Sequence, residues 1–181
     1  MRERQLIPME VAGNVVAGAV PLLLEDPDID ESFGWWRPEA GGRPPGRWSA
    51  VEGTRLFAVA ERGEGIIGLA ALTNIRREER YARVSCAVAS RHRLGGAGHW
   101  AMTEVIRLGV RLDGVRHLET CVRASNETSR RVLESLGFLP LVAPSFPREE
   151  GHPGSHVYLR LDLPSSARGH FLLTPRRALC A

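Results

Sequence analysis

The sequence predicts an α/β (α+β) domain, a mixed and mostly antiparallel central sheet flanked by helices. Three observations predict it. Strand-like alternation fills three neighbouring runs, Arg55 to Glu61, Ile66 to Ile75 and Tyr81 to Val88, joined by short links. The apolar period then lengthens to that of a helix, with Ala101, Val105, Leu108 and Leu112 on one face. Between the two patterns lies RHRLGGAG, residues 91 to 98, a basic and glycine-rich turn after the fourth strand.

In chain order, Gln5 to Met9 reads as a first strand and Val11 to Leu24 as a helix. The stretch Asp26 to Gly34 is acidic and runs into Trp35 and Trp36; residues 37–47 are rich in Pro, Gly and Arg and form a loop. Gly63-Glu64-Gly65 is a tight turn between the next two strands. The helix after the glycine turn starts at Gly98 and closes at Asp113-Gly114. Val115 to Val122 is a strand, and Asn126 to Leu136 a helix with Val132, Leu133 and Leu136 inward and Gly137 as its stop. Phe138 to Val142 and His156 to Leu163 are the last strands. Residues 1–164 are expected to form one domain. Residues 165–181, with little periodicity, are either disordered or a short appended element.

Of 181 residues, 43% are hydrophobic and 25% charged, the profile of a soluble globular chain with a real core. A net charge of +3 suits a phosphate-bearing ligand, and no Lys/Arg block supports a nucleic-acid partner. No run has the length of a membrane span or the pattern of a signal peptide. The three cysteines show no CxxC spacing, so a reduced, cytoplasmic setting is expected. His152 and His156 have Pro153-Gly154 between them and no cysteine beside them, so no metal is expected.

The glycine turn has a direct physical reading. The first turn of a helix carries N–H groups without intrahelical partners, and the positive end of the dipole lies there too. Glycines let an anion approach that backbone, which makes a phosphate or pyrophosphate site. Arg91, His92 and Arg93 supply positive charge. The plain alternative is a turn capped by solvent. No lysine follows for a Walker loop. Gly96-Ala97-Gly98-His99-Trp100-Ala101 does read GxGxxA, but it starts too far beyond Val88 for a dinucleotide turn, and antiparallel-patterned strands precede it.

Arg93-Leu94-Gly95-Gly96-Ala97-Gly98 resembles the R/Q-x-x-G-x-G/A pyrophosphate motif of the GNAT acetyltransferases. A second segment agrees, in the right order. Asn126 and Ser129 followed by Val132-Leu133-Glu134-Ser135-Leu136-Gly137-Phe138 is similar to the N-x-x-S…VLExLGF segment of the branch that acetylates ribosomal protein N-termini. The resemblance covers residues 81–142 well and fades before residue 50 and after residue 164.

The resemblance implies a GNAT fold, with acetyl-CoA as co-substrate and an N-acetyltransferase reaction by direct attack of a primary amine. The pantetheine arm is expected beside Cys86, Ala87 and Val88, with the Val88 N–H as oxyanion donor. The N–H groups of Leu94, Gly95, Gly96, Ala97 and Gly98 are expected to hold the pyrophosphate, with Arg93, His92 and Arg91 neutralising it. Asn126 is expected at the pantetheine arm, or simply as a helix cap. Many relatives carry an acid Tyr where this chain has Leu133; Ser129 is the substitute candidate, or plain helix-start chemistry. For the base, Tyr81, Arg83, Ser85 and Ala87 offer no carboxylate. Glu119 is the nearest strand carboxylate, with a structural ion pair as its other reading.

The acidic residues Asp28, Asp30 and Glu31, together with Trp35, Trp36 and Trp48, are expected either to receive the amine or to pack the first helix. The acceptor is a protein N-terminus or a small-molecule amine, and the protein a monomer or homodimer. A non-catalytic acyl-CoA-binding module of the same fold is the alternative, favoured by the missing strand-four Glu and the missing Tyr.

Overall fold

The computed structural model describes residues 3–9, 19, 23, 25–26, 29, 52–145 and 156–164. Within them run β1 (Arg4–Pro8), β2 (Arg55–Glu61), β3 (Gly65–Arg76), β4 (Tyr81–Val88), a 3-10 turn (Ser90–Gly95), α1 (Ala97–Asp113), β5 (His117–Arg123), α2 (Glu127–Ser135), β6 (Leu139–Pro140) and β7 (His156–Asp162). The described strands form one seven-stranded sheet in the order β1-β2-β3-β4-β5-β7-β6. Every pairing is antiparallel except β4 with β5. The expected mixed, mostly antiparallel α/β architecture is the one observed.

β2 and β3 read as near-continuous apolar runs because both of their faces are buried. On one face, Phe57, Val59, Ala70 and Leu72 join Ala101, Val105 and Ile106 of α1 in the main core. On the other, Leu56, Ala58, Leu69 and Ala71 pack with Met9, Leu23 and Ile29. α1 approaches β3 so closely at Gly109 that a Cβ there would lie 2.9 Å from the Leu72 side chain.

β2 and β4 occupy the ranges read from their alternation; β1, β3, α2 and β7 differ by one residue at one or both ends, and three further boundaries move for a visible reason. α1 begins at Ala97, one residue early, because Gly96 takes the left-handed conformation (φ 72°) that ends the 3-10 turn. β5 begins at His117 rather than Val115. The Val115 N–H turns back to the Gly109 carbonyl at 3.2 Å and so belongs to the helix stop. The strand expected over Phe138 to Val142 shrinks to Leu139–Pro140: the Phe138 N–H bonds the Leu133 carbonyl at 3.0 Å, and Pro140 has no N–H to give.

The helix expected over Val11 to Leu24 and the segment 165–181 lie essentially outside the described residues. Among the described residues, no helix is long and apolar enough to cross a membrane.

Candidate functional site

The site begins with a fault line in the sheet. β4 and β5 pair only over Tyr81–Arg83 and His117–Glu119. β3 continues along β4 to Val88, and β7 continues along β5 to Arg123. Among the described residues, β4 therefore has a partner on one side only from Val84 onward. The Ala89 N–H donates to the Ile67 carbonyl of β3 at 2.9 Å. Alternation along the strand turns the N–H and C=O of Cys86 and Val88 the other way, into the split. An extended ligand can add there as a strand.

Parallel strands bring their C-terminal ends to the same edge. The glycine turn thus follows β4 on one side of the split, and α2 follows β5 on the other. Crevices beyond the C-terminal ends of parallel strands are recurrent ligand sites.

The turn has room for an anion. Among the described residues, no side chain caps α1 and no acidic residue stands in its first turn, so its leading N–H groups have no side-chain acceptor there. No atom lies within 4 Å of where a Cβ would stand on Gly96 or Gly98, and the positive φ of Gly96 suits glycine alone.

The basic residues divide the work unevenly. Arg93 donates through Nε to the Val88 carbonyl at 2.9 Å and through Nη2 to Asp26 at 2.8 Å. Its charge is thus met inside the protein, where the sequence placed it on a phosphate. Asp26 also accepts from the Ser90 N–H at 2.8 Å and from the Ser90 hydroxyl. His92 is buried and accepts from Arg91 Nε at 2.8 Å, while Arg91 itself is exposed. The backbone of Leu94 lies in the 3-10 turn. Arg4 had no signal in the sequence: its Nη2 donates to the Gly95 carbonyl at 2.7 Å.

On the β5 side, the Asn126 side chain accepts from the Ser129 N–H at 3.0 Å and caps α2. The half-buried Ser129 stands in the first turn of that helix. Glu119 sits on the last paired rung, at the closed end of the split. It is fully buried, and its carboxylate accepts from the Tyr81 hydroxyl at 3.3 Å and from the N–H and hydroxyl of Ser145, both at 2.8 Å. Arg160 Nη1 lies 3.7 Å away. These partners make Glu119 an anchor for the chain at Ser145, not a carboxylate open to an incoming amine. Burial, and then the Glu119 charge, push the Tyr81 hydroxyl up to about 12. Burial alone pushes the Cys86 thiol up to about 12.

Asp28, Asp30, Glu31, Trp35, Trp36 and Trp48 lie outside the described residues. Among the described residues, no three His, Cys, Asp or Glu side chains cluster as a metal site. A cavity of about 640 Å³ opens at the other end of α1, lined by Arg55, Arg76, Arg77, Glu79 and Asp113 among others. Arg55 and Arg77 there are already paired with Asp113, whereas among the described residues no side chain caps the start of α1 at the glycine turn. Uncapped donors make the turn the functional candidate.

The model of the Acetyltransferase (GNAT) family matches residues 22–138, more than half of the chain. The chain belongs to the GNAT acetyltransferase family. The GNAT fold extends to solved structures. A Vibrio cholerae SpeG–hSSAT chimera, a spermidine N-acetyltransferase, overlays with a TM-score of 0.63 at 16% identity, covering 88% of this chain and 95% of that one. The Campylobacter jejuni N-acetyltransferase PseH, solved with acetyl coenzyme A, overlays with a TM-score of 0.61 at 15% identity, covering 88% and 99%. A candidate ribosomal-protein-serine acetyltransferase of Vibrio cholerae overlays with a TM-score of 0.51 at 21% identity; 60% of this chain is covered, and the chain spans 64% of that one, under two thirds of its length. At these identities the shared property is the GNAT fold. No curated protein sequence matches this chain.

Proposed function

We propose that this GNAT protein is an acetyl-CoA-dependent N-acetyltransferase acting on a primary amine in a ternary complex. One observation carries the reading: a half-paired strand, Val84 to Val88, leads directly into a glycine turn where a Cβ on Gly96 or Gly98 would meet nothing within 4 Å. An extended arm ending in a pyrophosphate matches both parts at once.

In this reading Cys86, Ala87 and Val88 take the pantetheine arm as an added strand, and the Val88 N–H faces the thioester oxygen where negative charge develops. The N–H groups of Gly96, Ala97 and Gly98 meet the pyrophosphate, with Arg91 as the exposed cation beside them. The amine nitrogen attacks the thioester carbon; the new C–N bond forms, the C–S bond breaks, and the amine proton ends on the departing sulfur. In this reading Ser129 passes that proton, and solvent takes the amine's first proton, since Glu119 is tied to Ser145 and Tyr81. The acceptor is a protein N-terminus, favoured by the N-x-x-S…VLExLGF segment, or a small amine. The protein works in a reducing cytoplasm, and residues 1–164 form its single domain.

A non-catalytic acyl-CoA-binding module is the second reading, favoured by the full set of bonds on Glu119. Calorimetric titration with acetyl-CoA and with CoA, followed by a thiol-release assay over peptides and amines, separates the two. Binding with turnover supports the enzyme and binding without turnover the module. No binding of either ligand overturns both.

A further inference from the structure

We infer that Arg4, on the edge strand β1, is a positioning residue for the anion-binding turn, aimed by Glu61; the inference rests on the pyrophosphate assignment above. Arg4 lies ninety-one residues before Gly95, and no sequence motif joins the two. Its Nε donates to Glu61 Oε2 at 2.7 Å, and its Nη2 donates to the Gly95 carbonyl, also at 2.7 Å. The planar fork of the guanidinium serves both acceptors at once, which a lysine ammonium cannot match.

The consequence lies in the peptide plane. In a trans peptide the C=O and the following N–H point in opposite directions. Holding the Gly95 carbonyl toward β1 therefore turns the Gly96 N–H away from β1. Glycine on both sides of that peptide leaves its rotation nearly unrestrained by side chains. An external clamp is what fixes the donor in place before a ligand arrives.

The ion pair itself argues for this role. The Arg4 and Glu61 side chains are only 11% and 3% exposed. A buried ion pair adds little net stability compared with apolar residues of similar volume. What apolar residues would not supply is a donor aimed at the Gly95 carbonyl. A Cβ on Gly95 would also stand 3.3 Å from Arg4 Nη2, so the clamp and the glycine fit each other.

The test titrates wild type, Arg4→Met, Arg4→Lys and Glu61→Gln with CoA and, at higher concentration, with S-acetylpantetheine, which lacks the pyrophosphate. The Gly96 amide is followed by NMR. Arg4→Met is expected to weaken CoA binding about tenfold, the scale of one hydrogen bond to a charged group, with S-acetylpantetheine unaffected. Arg4→Lys and Glu61→Gln should fall between Arg4→Met and wild type. The ligand-free Gly96 resonance should move or broaden in all three.

Unchanged CoA affinity in the folded variants overturns the role of Arg4 and leaves the acetyl-CoA reading standing. An equal loss for both ligands also overturns it, since that pattern reports general loosening. Should Arg4→Met fail to fold, Glu61→Gln and Arg4→Lys carry the same selective expectation. Failure of wild type to bind CoA overturns the inference together with the reading beneath it.

Discussion

Gly68 and Val88 stand opposite one another across the β3–β4 ladder, and a side chain on Gly68 has nowhere to go. Its Cβ would run into the Ala87 carbonyl oxygen and lie 3.0 Å from the Val88 Cα. Both obstacles are backbone, so relief requires β4 itself to move toward the split. Gly68→Val is expected to cost about 1–3 kcal/mol, the range for overpacking, and to weaken acetyl-CoA binding as well. Urea denaturation and calorimetry check the two effects together. Full stability with intact binding would show that β4 tolerates displacement.

Arg93 links the end of β4 to Asp26. Arg93→Ala frees the Val88 carbonyl and leaves the Asp26 carboxylate without this partner. CoA affinity is expected to fall about tenfold or more, as for loss of charge-assisted bonds. Asp26→Asn should reproduce part of that loss although Asp26 is expected to touch no phosphate. Wild-type affinity in Asp26→Asn would return Arg93 to a direct phosphate contact.

Ser129 separates chemistry from binding. Ser129→Ala keeps the backbone N–H that Asn126 caps. The expected outcome is a drop in kcat of about 10²-fold, the lower range for a general acid, with acetyl-CoA affinity unchanged. Asn126→Ala should instead destabilise the fold by about 1 kcal/mol through the lost cap. Steady-state kinetics and thermal melts distinguish them, and equal kcat in Ser129→Ala would remove that hydroxyl from the reaction.

Cys86 lines the split, yet burial pushes its thiol up to about 12, so it stays protonated at neutral pH. Direct transfer without an acyl-cysteine follows. Cys86→Ala should retain turnover within a few-fold, and initial-velocity patterns should intersect. Parallel lines with an inactive Cys86→Ala would replace direct attack with a covalent route.

Asp113 closes α1 with a different kind of pair. The Arg55 guanidinium bonded to it, helped by Arg77, holds its carboxyl below the ordinary 3.8 despite the opposing effect of burial. A depressed folded value adds stability at neutral pH, where both folded and unfolded forms are ionised. That contribution is lost as pH falls below 3.8 and through the folded value. Asp113→Asn should cost roughly 1.5–3 kcal/mol at pH 7, and the gap to wild type should narrow below pH 3.8. Urea midpoints across a pH series measure it; a constant gap would mean the loss is steric.

Much of the fold is written locally. The alternation in β2 and β4, the helical period from Ala101 to Leu112 and the stop at Gly114 are short-range patterns, and each element stands where its own residues put it. The split is not local. Nothing between Tyr81 and Val88 says that β5 leaves after Arg83, because that depends on where β7 draws β5 away. The clamps on the turn are hidden for the same reason: Arg4 with Gly95 and Asp26 with Ser90 join residues more than sixty apart. Glu119 shows the limit most clearly. Its spacing marks a carboxylate near the split, but only three-dimensional contact reveals that Ser145 and Tyr81 already hold it.

The short β4–β5 ladder has one more consequence. An exposed outer edge strand invites other chains to pair with it, and proteins defend such edges with charges, bulges or prolines. Here the half-paired edge from Val84 to Val88 lies inside the sheet, between β3 and the strand β5 with which β4 pairs only as far as Arg83, and not at the sheet's outer edge. The protein can therefore keep a row of idle amides without courting aggregation. Whatever fills that row becomes a temporary eighth strand, so occupancy should be legible as slowed amide exchange at Cys86 and Val88 and as a raised melting temperature.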